Sequence, residues 1–441
     1  MANTYLTRTQ STPTSTRIAT FSFWCKRCST GSYEYIISTK NSGSTRDGIA
    51  FSADDDLDIR FNAGSSSPIR VQTSRKFRDP SGFYHILVAL DTTQATASNR
   101  VKIYVNGVQE TSMVTSNYPS QNYDFSLNAT SSYATIIGKN GLADDSYFNG
   151  LLTHFHAVDG TAYAASTFGS TDSTTGEWQI NTSPSITMGT NGFTILKDGN
   201  TITDQSSNSN DFTLAGGTLT NTEDCPSNVF ATFNNLIPQT GATFNKGNTA
   251  CYRTTSGTYK RIGCTIGATS GKYYAEFQLG TNQWGGICLT NGGDIERTTL
   301  GNNGYMGEYA ADKSVGIRQD GIVYSSGANV SSAQWNQGSL GATDKLCLAL
   351  DLDNKKLFLG KNGTWSSSSN PASNTGGITL TGDSYTFCGA TDNADCKINT
   401  GNGYFGTDAI SSEGSNASGI GKFEYDVPTG FTALSTKGLN E

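Results

Sequence analysis

No run in this chain approaches the ~20 apolar residues that a membrane-spanning helix needs. The opening stretch MANTYLTRTQSTPTST also lacks the apolar core of a secretion signal. The expectation is therefore a chain made soluble in the cytosol, with no membrane span. Charge is sparse at 15% of residues, with a net charge of -7 and a pI near 5.1. No Lys/Arg run stands out, so the electrostatic footprint of a nucleic-acid binder is missing and a polyanion partner is disfavoured. The 9 cysteines, an odd number spread from Cys25 to Cys396, do not resemble the dense framework of a small disulfide-stapled domain. They read as mostly free, buried thiols. Cys25 and Cys28 form the single C-x-x-C, inside the strand-like run FSFWCKRCST with no second pair, so zinc is not expected there.

What the sequence does hold is turn chemistry and short alternating segments. There are 50 Gly against 9 Pro and 4 Met, with many Ser, Thr, Asn and Tyr. IATFSFWCKR, YEYIIST, GIAFSA, LDIRFNA, YHILVALD, RVKIYVNG and LLTHFHAV all read as strands, bounded by Gly, Asn and Asp. In IAFSADDDLDIRF the acidic tip Asp54 to Asp56 separates two alternating runs, as a hairpin turn does. Asn106-Gly107 is a strong two-residue hairpin signal, and LFLGKNG, ending in Asn362-Gly363, echoes it.

At 441 residues more than one module is expected. The reading is a β-sandwich over 1–170, a polar connector with short strands over 171–245, and a second β-sandwich over 246–441. The fold class is thus all-β: two antiparallel β-sandwiches joined by a partly structured connector.

The order of these pieces resembles known modules. TFSFWCKR, YHILVALD, RVKIYVNGVQ and YFNGLLTHFHAVDG resemble a laminin-G-like, concanavalin-type jelly roll. GKYYAEFQL, GICLTNG, SVGIRQDG, LCLALDLDNKKLFLGKNGTW and FEYDVPTGFTALSTKGLN resemble a SPRY domain, another concanavalin-like sandwich. The run HFHAVDGTAYAASTFGSTDSTTGEWQ, with Asp159-Gly160, Thr167-Phe168-Gly169 and Gly176-Glu177-Trp178, is similar to a segment of marine bacteriophage structural proteins of the cyanophage type. The resemblance implies a virion component, made in the host cytoplasm, with lectin-like modules. It also implies partners among other virion proteins, a homo-oligomer such as a trimer, and a host-surface glycan as ligand.

Concanavalin-type sandwiches include glycosidases with paired carboxylates in a Glu-x-Asp-x-x-Glu pattern, and no such spacing occurs here. Asp54, Asp56 and Asp58 are candidate calcium ligands, since hard oxygens so close together suit that ion; the plainer reading is a solvated hairpin tip. No cofactor is required. Of the three histidines, His85 reads as a structural strand residue. His154 and His156, two apart on one strand, are expected on one face with Leu152 and Val158, opposite Thr153, Phe155 and Ala157. They read as the last strand of the jelly roll and not as a metal pair. GNNGYMGEYA at 301–310 is Gly-rich but has no following Lys-Ser/Thr, so it reads as a loop and not a phosphate cradle.

Sugar binding would rest on rings that stack against a pyranose. Tyr305, Tyr309, Trp335 and Trp365, in polar loop-like segments, are the candidate ligand-binding residues and could line one edge of the second sandwich. Trp284, beside a strand, reads as core. The expectation is a non-enzymatic virion protein used for glycan or host adhesion, of the tail-fibre or receptor-binding type. A capsid decoration or other structural virion protein is the alternative. A polysaccharide hydrolase is a weaker third, since the carboxylate pair is missing.

Overall fold

A computed structural model describes all residues other than 1–2, 41–45, 67, 130–132, 237–241, 254–258, 291–304 and 310–311. The chain is all-β as expected, and divides into two compact units, Met1–Asn221 and Thr222–Glu441. Among the described residues its one α-helix, Ser331–Gln334, is a single turn.

In the first unit an eight-stranded sheet runs in the order Met113–Asn117, Ile69–Lys76, Asp56–Ala63, Arg46–Phe51, Glu34–Lys40, Ala134–Ile137, Tyr5–Thr9, Thr213–Gly216. A six-stranded sheet runs Phe193–Ile195, Gly150–Asp159, Ile18–Arg27, Tyr84–Asp91, Val101–Val105, Val108–Glu110. The core lies between them, where alternate residues such as Phe21, Phe23, Ile86, Val88, Leu90 and Ile103 meet Ile37, Ile49, Phe51, Ile59 and Val71. Each fully buried Phe, Ile or Leu contributes about 1.5–3 kcal/mol relative to exposure, so the period-two pattern fixes which face turns inward.

Asn106-Gly107 forms the expected turn, with φ 47 and 79, between the paired residues Val105 and Val108. Asn362-Gly363 does the same, with φ 48 and 77, between Lys361 and Thr364. Two consecutive positive φ values are what a tight hairpin asks of its central residues.

The stretch 171–245 is divided between the units. Phe193–Ile195 extends one sheet of the first unit and Thr213–Gly216 closes the edge of the other. Phe230, Ala231 and Phe233 are buried in the cores of the second unit. The polar composition reflects side chains that satisfy backbone groups in place of ladders. Asp204 Oδ1 accepts from the Thr194 and Ser206 N–H groups and its Oδ2 from Asn210 N–H. Asp159, of the Asp-Gly ending, accepts from the N–H groups of Thr14, Ser15 and Asn191.

In the second unit one sheet runs Ala242–Asn245, Ala250–Arg253, Cys396–Asn399, Lys272–Leu279, Leu346–Asp351, Lys356–Lys361, Thr364–Trp365. The other runs Lys260–Gly263, Tyr385–Thr391, Trp284–Leu289, Val315–Arg318, Val323–Ser325, Ala328–Asn329. Its main core gathers Phe277, Ile287, Ile317, Leu348, Phe387 and Ile398 between the sheets. Of the nine cysteines, all but Cys225 are buried.

Candidate functional site

The acidic tip is a turn, with Asp55 at φ 67 and its N–H bonded to Ser52 O. Its carboxylates do not converge on a common point. Asp54 is exposed. Asp55 turns inward to Arg27 at 3.1 Å and Arg78 at 2.9 Å, and accepts from Gly31 N–H. Asp56 meets the Lys76 ammonium at 2.8 Å, and Asp58 meets both Arg60 and Arg70 at 2.8 Å and accepts from the Tyr33 hydroxyl. Burial alone would raise Asp56, but the Lys76 ammonium and Gln72 amide outweigh it and hold its carboxyl below the usual range. Among the described residues no group of three or more His, Cys, Asp or Glu is placed to hold a metal ion. The calcium expectation for Asp54, Asp56 and Asp58 is corrected on this geometry: two of the three carboxylates already neutralise buried or half-buried cations, and the third points to solvent.

The histidine strand carries a bulge. Thr153 pairs with Trp24 and His156 with Ser22, so His154 and Phe155 together oppose Phe23, and His154 takes φ 49. The bulge resets the alternation, so that Leu152 before it and Phe155 and Ala157 after it all pack on the core. The expected division of faces is wrong for that reason. Thr153 Oγ1 donates to Leu196 O and accepts from His154 Nδ1, while His156 Nδ1 bonds Thr194 Oγ1. Burial drives His156 down to about 3.

His85 resembles half of a nucleophilic dyad, with its Nε2 2.9 Å from Ser22 Oγ. Its other nitrogen settles the chemistry. Trp178 Nε1 donates to His85 Nδ1 at 3.0 Å, so Nδ1 is the acceptor and Nε2 carries the proton. An Nε2–H donating to Ser22 cannot withdraw that hydroxyl's proton. The ring is also stacked between Trp24 (5.1 Å) and Trp178 (5.8 Å), and burial pushes its pKa down to about 3. His85 is the structural strand residue expected, and it anchors the Gly-Glu-Trp segment.

In the second unit, the four aromatic candidates go to different places. Trp335 is buried in the main core and donates Nε1 to Gly338 O at 2.7 Å. Trp365 packs edge-on against Tyr274 beneath the segment holding Phe423 and Phe431. Tyr309 is half-buried, four residues beyond Tyr305 and near enough for its charge to act on the Tyr305 phenol. Residues 301–304 and 310 of the Gly-rich loop lie outside the described residues. Tyr305 joins an aromatic platform, and its partner is Trp284, which is buried as expected.

That platform lies on the outer face of the sheet that holds Trp284–Leu289. Gly286 pairs with Gly316 on the neighbouring strand, and this gap admits Met306. A Cβ on Gly316 would meet Met306 Cβ at 2.7 Å. Arg261 then ties the loop down through Asp312, whose carboxylate also accepts from Gly307 N–H. Tyr305, next to Met306, lies flat on Trp284 with ring centroids 4.8 Å apart at 6°. Tyr259 meets both edge-on, and Tyr324 tilts against both. Arg318 extends over the indole at 5.8 Å while chelating Asp320. Trp284 itself is buried at 1% exposed, so the half-exposed rings are those of Tyr305, Tyr259 and Tyr324 around it, with the Arg318 guanidinium and Asp320 carboxylate at the rim. The indole Nε1 of Trp284 is buried with no hydrogen-bond partner among the described residues. Burial, then the charge of Glu308, pushes the Tyr305 phenol up to about 12, so it is a neutral donor and acceptor at neutral pH.

Glu276 is a buried acid whose pKa burial pushes up to about 7. Its oxygens accept from Glu424 N–H at 2.9 Å, Tyr425 N–H at 2.8 Å and the Tyr274 hydroxyl at 3.1 Å. Its ligands are therefore the chain's own peptide groups, and it fastens the segment around Phe423 to the sheet.

Residues 2–166 match a family profile described as the concanavalin A-like lectin/glucanases superfamily, Laminin_G_3, so the first unit carries a concanavalin-like domain. No curated protein matches the chain. Among solved structures, the chain is similar to a native heptameric SAP-like pentraxin from Limulus polyphemus, at 16% identity and TM-score 0.28, covering 37% of this chain and 72% of that one. It is similar to the SPRY domain of human HERC1 at 15% identity and TM-score 0.27, covering 38% and 96%. The TRIM65 PSpry domain follows at 13% and 0.28, covering 38% and 87%.

Proposed function

We propose that this chain is a non-enzymatic, lectin-like virion protein of a bacteriophage, exposed on the particle and used for adhesion to host-surface glycan. The observation that carries the glycan reading is the Trp284–Tyr305 stack with its polar rim of Tyr259, Tyr324, Arg318 and Asp320. The half-exposed Tyr305 ring, backed by the buried Trp284, offers a flat face for the apolar side of a pyranose, and the rim groups hydrogen-bond its hydroxyls. A concanavalin-like domain over 2–166 agrees with a lectin-like protein. The non-enzymatic reading is supported by how the titratable groups are engaged: His85 by an indole N–H, Glu276 by peptide N–H groups, Asp56 and Asp58 by cations. The phage origin rests on the resemblance of the segment from His154 to Gln179.

Purified full-length protein on a glycan array is the test. Binding to at least one sugar, lost in Tyr305→Ala, is the expected result; no sugar above background ends the lectin reading. Immunogold labelling of particles tests the rest. Signal at the tail tip supports adhesion, signal over the head supports capsid decoration, and no particle-bound signal removes the virion assignment.

A further inference from the structure

We propose that the outer face of the eight-stranded sheet in the first unit is a binding surface for a carboxylated or sulfated polysaccharide. It is separate from the aromatic platform of the second unit and stands whether or not that platform binds sugar.

The cations come from four strands and are scattered along the sequence. Strand pairing collects them. Arg60 pairs with Gly48 on one side and Arg70 on the other, Asp56 pairs with Lys76, and Lys40 pairs with Arg46. Tyr35 lies over Gly48, where an added Cβ would meet its ring at 2.7 Å. The Arg46 guanidinium stacks over that ring at 5.2 Å and its Nε donates to the Tyr35 hydroxyl at 3.0 Å. Arg60 covers Tyr33 at 4.7 Å. At these register positions, among the described residues, five cations, Lys40, Arg46, Arg60, Arg70 and Lys76, stand with two carboxylates, Asp56 and Asp58, in a chain whose net charge is -7; the neighbouring Lys139 is matched by Asp144.

Depth sharpens the imbalance. The Asp58 and Asp56 side chains are 0% and 1% exposed, whereas Arg60, Arg70 and Lys76 are 24%, 29% and 35% exposed. The carboxylates lie at the base and hold the cations upright, so an approaching ligand meets the positive layer first.

The occupant follows from three features. Arg60 and Arg70 stand on successive strands, which spaces them by about 4.8 Å along a line across the sheet, a row for a linear polymer. Guanidinium groups offer paired donors that fit carboxylate or sulfate oxygens. Double-stranded DNA, with one charge per ~1.7 Å of helix, is far denser than this small cationic excess, and the chain's overall negative field opposes it. An acidic polysaccharide such as polygalacturonate, with one charge per sugar, suits the small excess.

The test uses the full chain in biolayer interferometry against dextran sulfate, polygalacturonate, unmodified dextran and a single-stranded DNA oligonucleotide. The expected result is binding to either or both acidic polysaccharides, weakening as NaCl rises, and none to dextran. The double variant Lys40→Gln/Arg46→Gln should weaken it about tenfold. Lys102→Gln, the same kind of charge change on the other sheet, should leave it unaltered. Should the double variant fail to fold, as judged by circular dichroism, Lys40→Gln alone carries the comparison with a smaller expected loss. The proposal is overturned if neither acidic polysaccharide binds, if Lys102→Gln weakens binding as much as the face variants do, or if the DNA binds more tightly than both polysaccharides.

Discussion

Trp284 and Tyr305 stack at 4.8 Å and 6°, yet they come from different kinds of structure, one from a strand and the other from a loop clamped over it. Gly316, paired with Gly286, makes that clamp possible by leaving room for Met306. Tyr305→Ala removes the upper ring without opening the sandwich core. Glycan affinity should fall about tenfold, or ~1.4 kcal/mol, with little change in the melting temperature. Titration calorimetry with the best array sugar checks the first and differential scanning fluorimetry the second.

The two units should respond to acid in opposite senses. In the second, Glu276 has its pKa raised from 4.5 to about 7. Between those values the unfolded chain is ionised while the folded one stays protonated, so folding takes up a proton. This stabilisation is full below about pH 4.5 and is lost as pH rises through about 7. In the first unit His85 and His156 are lowered from 6.5 to about 3. Their contribution is present above about pH 6.5 and is lost as pH falls toward 3. Hydrogen exchange from pH 7 to pH 5 should show protection rising around Glu276 and falling around His85. Glu276→Gln should abolish the first trend.

Removing a partner from a buried ion pair should separate Asp55 from Asp54. Asp55→Asn leaves Arg27, which is 1% exposed, with one carboxylate fewer, and should cost about 3 kcal/mol. Asp54→Asn, at an exposed site, should change stability by less than about 0.5 kcal/mol. Urea midpoints report both. Calcium or EDTA should leave the melting temperature of the native chain unaltered; a calcium-dependent rise would reinstate a site at this tip.

Gly107 has φ 79, and a Cβ there would reach the Trp178 ring at 2.3 Å. Gly107→Ala should destabilise the first unit by about 1–3 kcal/mol through overpacking and the left-handed backbone. A red shift in tryptophan fluorescence should accompany the loss as Trp178 moves from His85.

The polar, loop-like setting pointed to Tyr305 together with Tyr309, Trp335 and Trp365, and the two tryptophans lie elsewhere. Trp335 and Trp365 lie in polar sequence, and polar neighbours suggested exposure; both rings instead turn under their loops onto separate clusters. Trp284 read as core, and it is buried at 1% exposed, but in a cluster on the outer side of its sheet: that strand's alternation puts Ile287 and Leu289 into the main core and Trp284 and Gly286 on the other face. The facing glycines were the available signal.

Period-two alternation and the Asn-Gly turns by themselves determined an all-β chain, because apolar faces must be buried and few residues besides Asn and Gly accept consecutive positive φ. Tertiary structure alone decided the rest. A bulge at His154 shifts a whole strand's faces by one residue, which local pattern cannot foretell. Strand register, which depends on pairing across tens of residues, converts the acidic tip from a candidate metal site into counterions. It also gathers scattered arginines into one cationic face on an acidic protein.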